Sequence, residues 1–525
     1  MFDLIIKNGF IIDGTGGEGY YSDIAIDEDR IVRIGDLKYE IAKETIDAKG
    51  LIVAPGFIDI HSHSDWRIFS TLKTENVIRQ GVTTEVVGQC GDSPFPVIDH
   101  KAHEIYDYFL SQNISSDLLK WSTPREFFDL VNEVGISHNI VPLVGHGTIR
   151  MNVMGYENRK PTDKELDVMK TLVEDAMKSG VFGISTGLPY PPGVFADTQE
   201  LIELCKVVAE YKGVYTTHLR SQSTHFLDAI QESIQIGEES GIKVNISHLK
   251  ASDKDNWGKV VEAIEIMNKA RENGLSIICD VYPYIAASNP LSSELPSWIH
   301  EGGTEKLIEK LKNRSIREKL RKELPKDQDE LWSLIYICDV RDDKYKKYIG
   351  KNIKEISEII GETPLDTVCE LLIKNEGVIQ VNVICMSEED VQYVLAYNFA
   401  SIGADGGAFI TEGYTGHPRA FGTFPTFIGK YIRDSKIVSL EEGIRKMTSL
   451  PAEFIEIKDR GVIGEKMYAD IVIFDYEKIA DKATYEKPAE YPEGIEYVVI
   501  NGKIQLVNGM YNRIAAGRII RKNDI

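Results

Sequence analysis

The 525-residue chain has few cysteines, no long apolar run and a deficit of positive charge. Its six cysteines are scattered without a Cys-x-x-Cys pair, which argues against a disulfide framework and favours a reducing compartment, the cytoplasm. No stretch approaches the roughly 18 apolar residues of a membrane-spanning helix. A net charge of −22 disfavours nucleic acid and anionic membranes as partners.

The order of strand and helix patterns predicts the fold class. Short strands with Gly- and Asp-rich turns occupy both ends of the chain, whereas strands and amphipathic helices alternate in the middle. Repeated βα units predict an α/β fold with a closed (β/α)8 barrel, which needs eight strands. Nine candidate strands begin near residues 57, 82, 139, 181, 213, 242, 275, 379 and 399, so one of them is surplus.

These patterns divide the chain into three parts. Residues 1–55 are predicted to form one part of a small β-sandwich, 56–440 the catalytic barrel, and 441–525 a C-terminal helix and the rest of the sandwich. Residues 289 to about 345 are highly charged and interrupt the alternation. Because they follow the strand that ends at Tyr282, they would lie on the catalytic face. We favour a lid that closes over the site, and a solvated helical decoration is the alternative.

The segment 56–63, GFIDIHSH, reads as a buried strand that ends in two histidines. Side chains two residues apart on a strand point to the same side, so His61 and His63 converge on one point. Paired imidazoles favour a transition metal, usually zinc. The alternative is a strand that carries two ordinary histidines.

Four further apolar runs end in a residue type that binds metals. Because active sites of parallel barrels lie at the C-terminal ends of the strands, we expect these side chains to meet His61 and His63. The six donors suffice for two adjacent ions if a Cys90 thiolate bridges them. Asp405 is the predicted catalytic residue, which takes a proton from metal-activated water and passes it to a departing nitrogen. The predicted ligand sets are Cys90, His218 and His248 for one ion, and His61, His63, Cys90 and Asp405 for the other.

Several motifs together resemble the N-acyl-D-amino-acid deacylase (D-aminoacylase) branch of the amidohydrolase superfamily, nearly from end to end. The resemblance implies a barrel with a small β-domain, and zinc-dependent hydrolysis of the amide bond of N-acyl-D-amino acids. It also implies one tight zinc at Cys90, His218 and His248 and a second site that can be weak or empty. The motifs are PGFIDIHSH (55–63), GVTTEVVGQCG (81–91), GISTGLPYPPG (183–193), THLR (217–220), SHLK (247–250) and HPRAFGTFP (417–425).

The resemblance also implies four residues that hold the free carboxylate of the substrate: Lys250, Tyr282, Ser288 and Arg419. A guanidinium can bind a carboxylate through two parallel hydrogen bonds. The chain departs from the branch at Ala404, where a serine is usual, and at Gln222, where a glutamate is frequent. Both departures leave the preferred substrate side chain open. His146, in the GHG motif, is interpreted as structural.

Two other functions remain open at this point. One is a different amidohydrolase reaction, such as hydrolysis of a cyclic amide or of a dipeptide that contains a D-amino acid. The other is a non-catalytic metal-binding scaffold, which the presence of all six ligand residues disfavours. The expected partner is a small N-acyl amino acid, and its D-configuration rests on the resemblance alone. The sequence leaves the oligomeric state undetermined.

Overall fold

The N-terminal strands lie in one sheet in the computed structural model, which describes residues 1–98, 105, 106, 109, 114–324 and 328–524. Strand β1 pairs along its length with three neighbours, antiparallel with β2 and parallel with β4 and β5. β3 continues the sheet beyond β2. The five strands are β1 (Phe2–Ile11), β2 (Tyr20–Asp27), β3 (Arg30–Gly35), β4 (Ala42–Asp47) and β5 (Ile52–Pro55).

Parallel strands of the barrel follow. Leu143 donates its backbone N–H to the carbonyl oxygen of Val87 at 2.9 Å, which makes β8 and β9 one interrupted barrel strand. All neighbouring pairs from β6 to β8 and from β9 to β13 are parallel. The strands are β6 (Phe57–Asp59), β7 (Val82–Val87), β8 (Asn139–Pro142), β9 (Val144–Gly145), β10 (Gly183–Gly187), β11 (Val214–His218), β12 (Lys243–Ile246) and β13 (Ile277–Val281).

Helices connect these strands. Two of them begin at a capping box, in which Thr123 and Glu126, or Thr162 and Glu165, satisfy backbone N–H groups of the first turn. Short 3-10 helices span Ser64–Lys73, Ile78–Gln80, Gly193–Phe195 and Lys254–Asn256. The α-helices are α1 (Pro124–Val134), α2 (His146–Met154), α3 (Asp163–Ser179), α4 (Thr198–Glu210), α5 (Phe226–Ser240) and α6 (Lys259–Glu272).

A separate antiparallel sheet lies between β13 and the last barrel strand. Its order is β14-β16-β15, so the candidate strand near residue 379 is the surplus one. The predicted lid, residues 289 to about 345, covers only part of this segment, and its closure stays a prediction. The strands are β14 (Ala286–Pro290), β15 (Ile335–Val340) and β16 (Ile379–Ile384); the helices are α7 (Gly303–Leu311), α8 (Arg314–Glu323), α9 (Gln328–Ser333), α10 (Ile353–Ile360) and α11 (Pro364–Lys374), with 3-10 turns at Leu291–Glu294, Ser297–His300 and Asp343–Tyr348.

The chain then returns to the barrel through α12 (Glu388–Ala396) and β17 (Ala400–Ile402), which pairs in parallel with β13. Beyond β17, the backbone N–H of Asp405 donates to the carbonyl oxygen of His61 at 2.8 Å. The N–H of His63 donates to the carbonyl oxygen of Gly406, also at 2.8 Å. These bonds join the eighth strand to the first, and the predicted (β/α)8 barrel is confirmed.

The C-terminal strands complete the first sheet. β18 pairs antiparallel with β5, with Val472 opposite Ala54, so both chain ends contribute to nine strands. A separate apolar cluster packs Leu4, Ile26 and Val53 with Ile471 and Val499, so residues from both chain ends share one small core. No helix among the described residues is long and apolar enough to cross a membrane. The remaining elements are α13 (Arg419–Thr426), a π-helix (Phe427–Asp434), α14 (Leu440–Met447), α15 (Ser449–Ile455), β18 (Ile471–Phe474), β19 (Ile495–Ile500), β20 (Lys503–Val507), β21 (Met510–Tyr511) and a 3-10 turn (Lys522–Asp524).

Candidate metal centre and substrate cavities

The end of β6 brings the two histidines of the HSH segment to one side of the barrel mouth. His61 is fully buried, and its Nε2 lies 3.4 Å from the Sγ of Cys90 and 3.5 Å from Oδ1 of Asp405. The Nε2 of His63 lies 3.2 Å from the same Oδ1. One potential ligand atom from each of these four residues therefore lies within 4.8 Å of the others.

Cys90 also belongs to a second group of donors. Its Sγ lies 3.7 Å from Nδ1 of His218, at the end of β11, and 3.6 Å from Nε2 of His248, just after β12. The structure thus brings all six predicted ligand residues together in two groups that share the thiol. This arrangement is the one that the predicted bridge requires.

The spacing of these donors fits zinc. Tetrahedral ligands at 2.0–2.3 Å from an ion lie about 3.3–3.8 Å from one another. The Sγ–N separations around Cys90, from 3.4 to 3.7 Å, fall within that range. Thiolate, imidazole and carboxylate are also the ligand types that zinc prefers. The ligand types and the spacing around Cys90 therefore fit a zinc ion.

Three of the donors have a backbone conformation that non-glycine residues rarely adopt. The φ angles are 53° for Cys90, 37° for His248 and 48° for Asp405. Each such residue destabilises the fold by about 1–3 kcal/mol unless its surroundings compensate. Such residues cluster at functional sites, because an unusual chain direction there aims a side chain that a regular strand would direct elsewhere.

Charge and burial prepare the histidines of the second group for metal binding. Burial, and then the nearby Lys250 ammonium, hold the pKa values of His218 and His248 well below the usual value. Both imidazoles are therefore neutral at pH 7, the form that binds metals. Burial raises the pKa of the Cys90 thiol, although His63 opposes the shift, so metal binding there releases a proton.

Asp405 is ionised in spite of its burial. Burial alone raises the pKa of its carboxyl group, but the Arg419 guanidinium and His61 outweigh this effect and hold the pKa well below the usual value. The Arg419 guanidinium nitrogen lies 2.9 Å from Oδ2 of Asp405. The other oxygen of Asp405, Oδ1, faces the ring nitrogens of His61 and His63.

Two residues to which the sequence analysis gave no role beside the donors contact the donor histidines. Asp280, next to last in β13, lies 3.4 Å from Nδ1 of His61 and accepts hydrogen bonds from Asn245 at 2.6 Å and from the backbone of His248 at 2.7 Å. Nε2 of Gln222 lies 3.1 Å from Nδ1 of His248. The sequence did contain a signal for Asp280, because aspartate is a metal-ligand residue type and this one follows an apolar run.

The four predicted carboxylate-binding residues surround a cavity of about 590 Å³ that also contains Cys90, His218 and His248. The Arg419 guanidinium lies 4.8 Å from the ring centre of Tyr282, and the Lys250 ammonium 5.3 Å from it. Within the described ranges, the buried Tyr282 hydroxyl has no hydrogen-bond partner. Two cations and a free hydroxyl thus face the donor groups, and Ser288 of β14 completes the set.

His146 takes no part in either donor group. Its Nε2 lies 2.8 Å from Oε1 of the buried Glu200, whose Oε2 accepts a hydrogen bond from Arg150 at 2.5 Å. This buried ion-pair cluster agrees with the structural interpretation of His146.

Comparison with known proteins agrees with the fold and the motifs. The model of the amidohydrolase family matches residues 44–291 and 402–505. D-aminoacylase of Alcaligenes xylosoxydans xylosoxydans is 33% identical over 521 residues, which cover 99% of this chain and 98% of that protein. A structure of N-acyl-D-glutamate deacylase from Bordetella bronchiseptica, complexed with zinc and a phosphonate mimic of the tetrahedral intermediate, has a TM-score of 0.82 at 28% identity and covers 99% of both chains.

A solved D-aminoacylase structure, from work on the functional role of its binuclear metal centre, gives the same TM-score of 0.82. Its identity to this chain is 32%, and the match covers 99% of this chain and 100% of that one. Both the length of the match and the agreement of the folds exclude a partial or merely architectural likeness. The chain therefore belongs to the amidohydrolase family, in its N-acyl-D-amino-acid deacylase branch.

Proposed function

We propose that the protein hydrolyses the amide bond of N-acyl-D-amino acids and releases a carboxylate and a free D-amino acid. The observation that carries this proposal is the single cavity that holds the donors Cys90, His218 and His248 beside the cations Lys250 and Arg419. The donors suit an amide carbonyl, and the cations suit the free carboxylate next to it. The names of the relatives support the D-configuration.

The proposed cofactor is zinc, with one tight site formed by Cys90, His218 and His248. Zinc bound there would polarise an amide carbonyl and activate water. A second ion would bind more weakly at His61, His63, Cys90 and Asp405, because Arg419 competes for the Asp405 carboxylate. The zinc complex of one related structure and the binuclear centre of another support zinc as the cofactor and a place for a second ion.

Asp405 is the proposed catalytic residue. Its ionised Oδ1 accepts a proton from the attacking water while the water oxygen bonds to the acyl carbon. The same carboxyl group then donates that proton to the nitrogen as the C–N bond breaks, so the amine leaves neutral. Arg419 keeps the carboxylate ionised between turnovers.

Four residues are proposed to hold the substrate carboxylate. Arg419 and Lys250 supply charge, and the Tyr282 and Ser288 hydroxyls donate hydrogen bonds. Since Lys250 also donates to the carbonyl oxygen of His248 at 2.9 Å, its position is fixed relative to the donors.

The six cysteines have free thiols, which supports the proposed reducing cytoplasm.

A substrate panel tests the function. N-acetyl-D-amino acids should be hydrolysed and their L-enantiomers should not; preference for the L series would contradict the proposal.

Asp405→Asn should lower kcat by a factor of about 10²–10⁴ and keep the tight zinc, because general acid–base catalysis contributes that much. The matched control is Asp343→Asn, at a carboxylate with a side chain that is 83% exposed. An Asp405→Asn enzyme within tenfold of wild type would remove Asp405 from the mechanism.

A further inference from the structure

The proposed function does not account for a second, larger cavity beside the donors. This cavity has a volume of about 720 Å³ and opens on His63 and Asp405. A volume of that size accommodates a drug-sized ligand, whereas an acetyl group would leave most of it to water. Its apolar side chains include Trp66, Met151, Phe409, Ile410 and Tyr414.

Part of this wall is apolar surface left in contact with solvent. Ile410 is 51% exposed although it lines the cavity. The neighbouring Phe409 ring is held by the Tyr414 ring, 4.6 Å away, and by the Arg67 guanidinium, 4.6 Å from its centre. Tyr414 in turn packs 5.1 Å from Phe421, which is buried. A preformed wall that exposes aliphatic surface favours an apolar ligand.

The two cavities share part of their walls. Both contain His63, Asp405, Ser288 and Arg419, so the proposed reaction would place the scissile amide where they meet. Lys250 and Tyr282 line only the smaller cavity. If the carboxylate binds there, the amino-acid half occupies the smaller cavity and the acyl half extends into the larger one.

Charged residues narrow the class of acyl group further. The larger cavity also contains Asp92, Asp339 and Glu412, against the cations Arg67 and Arg419. Arg419 is paired with Asp405, and Arg67 lies on Phe409. An acyl chain that ends in a carboxylate would therefore enter a cavity in which three carboxyl groups face two guanidinium groups, one of which already contacts Asp405.

We propose that the acyl group of the natural substrate is large, uncharged and mainly apolar, a medium-chain fatty acyl or arylacetyl group bound in the larger cavity. This inference rests on the proposed deacylase function. It concerns the acyl group, which is released as the carboxylate product, and it does not depend on which D-amino acid is bound.

Acyl-chain length is the first test. One D-amino acid is assayed as its acetyl, butanoyl, hexanoyl, octanoyl, phenylacetyl and succinyl derivatives. We expect kcat/KM to rise about two- to fourfold for each methylene, because burial of one methylene is worth up to about 0.8 kcal/mol, and the succinyl derivative to be poor. A maximum at acetyl, or an equally fast succinyl derivative, would overturn the inference and leave the deacylase function intact.

Product binding provides a readout that does not need turnover. Octanoate should bind the zinc-loaded Asp405→Asn protein at least tenfold more tightly than acetate in a calorimetric titration. Equal affinities would contradict an apolar acyl site even if the protein hydrolyses no N-acyl-D-amino acid, whereas tighter octanoate binding without any deacylase activity would retain the site and reject the proposed function.

A charge placed on the wall locates the acyl group. Ile410→Asp should lower the ratio of octanoyl to acetyl kcat/KM at least tenfold. The matched control is Ile359→Asp in α10, because Ile359 is 59% exposed and lines neither cavity; its ratio should stay at the wild-type value. If Ile410→Asp lowers both substrates equally, the acyl group lies elsewhere.

Discussion

At the residue scale, the donors depend on neighbours that hold each ring in one orientation. Asp280 is the clearest case, since one carboxylate faces His61 and also accepts hydrogen bonds from Asn245 and from the backbone of His248. A carboxylate behind a metal-binding imidazole fixes the ring and raises its basicity. Asp280 therefore couples the two donor groups although it belongs to neither.

Asp280→Asn should weaken zinc binding by a factor of about 10–100, because loss of such a partner has that effect on metal affinity. Competition with a chromogenic chelator measures the dissociation constant. Asp390→Asn is the buried control, since Asp390 accepts a hydrogen bond from the backbone of Gly258, remote from the donors. Wild-type zinc affinity in the Asp280→Asn protein would rule out the coupling.

Arg419→Ala should weaken recognition of the substrate carboxylate. Loss of a charged hydrogen-bond partner is worth about 1.5–3 kcal/mol, a factor of roughly 10–150 in kcat/KM. Because Arg419 also contacts Asp405, the informative quantity is the ratio between N-acetyl-D-amino acids and their carboxamides. That ratio should fall in Arg419→Ala and stay unchanged in Arg341→Ala, whose side chain is 58% exposed. Equal impairment of acid and amide would mean that Arg419 does not bind the carboxylate.

The sequence predicted residues that repeat a simple pattern and missed those that do not. His61 and His63 could be recognised because a strand directs every second side chain to one side. Gln222 lies in a loop and carries an amide, which is no metal-ligand type. The left-handed conformations of Cys90, His248 and Asp405 arise from tertiary contacts, and neither spacing nor composition encodes them.

At the element scale, the sheet β14-β16-β15 adds a wall to the site. Ser288 on β14 and Gln380 on β16 line both cavities, and Cys338 on β15 lines the larger one. β16 was mistaken for a barrel strand because its central residues are buried, as in the parallel strands. A periodic pattern reports burial and cannot tell which sheet buries the strand.

Ligand binding should protect this sheet from hydrogen exchange. A phosphonate analogue of an N-acyl-D-amino acid should slow amide exchange in residues 335–340 and 379–384, because both strands contribute side chains to the cavity walls. Residues 20–27 of the terminal sheet are the internal control. Unchanged exchange in both strands, with binding established, would favour the decorative interpretation of the insertion over the lid.

At the scale of the whole molecule, zinc and fold stability are linked. Zinc at 1,000 times its dissociation constant stabilises the folded state by about 4.1 kcal/mol. For a chain of this length the melting entropy is on the order of 1.1 kcal/mol/K, so chelation should lower Tm by about 4 °C. Cys90→Ala should melt at the same temperature with and without chelator, whereas Cys369→Ala, buried in α11, should keep the difference. A chelator-sensitive Tm in Cys90→Ala would contradict the shared thiol.

The pairing of β5 with β18 sets the order in which the domains can form during synthesis. Residues 52–55 and 471–474 are hydrogen-bonded neighbours separated by most of the chain. At about 5–20 residues per second, a ribosome needs roughly 20–80 s to make the intervening polypeptide. During that interval the edge of β5 has no partner, and such edges promote aggregation. The nascent chain is therefore expected to depend on chaperones until residues 471–474 emerge.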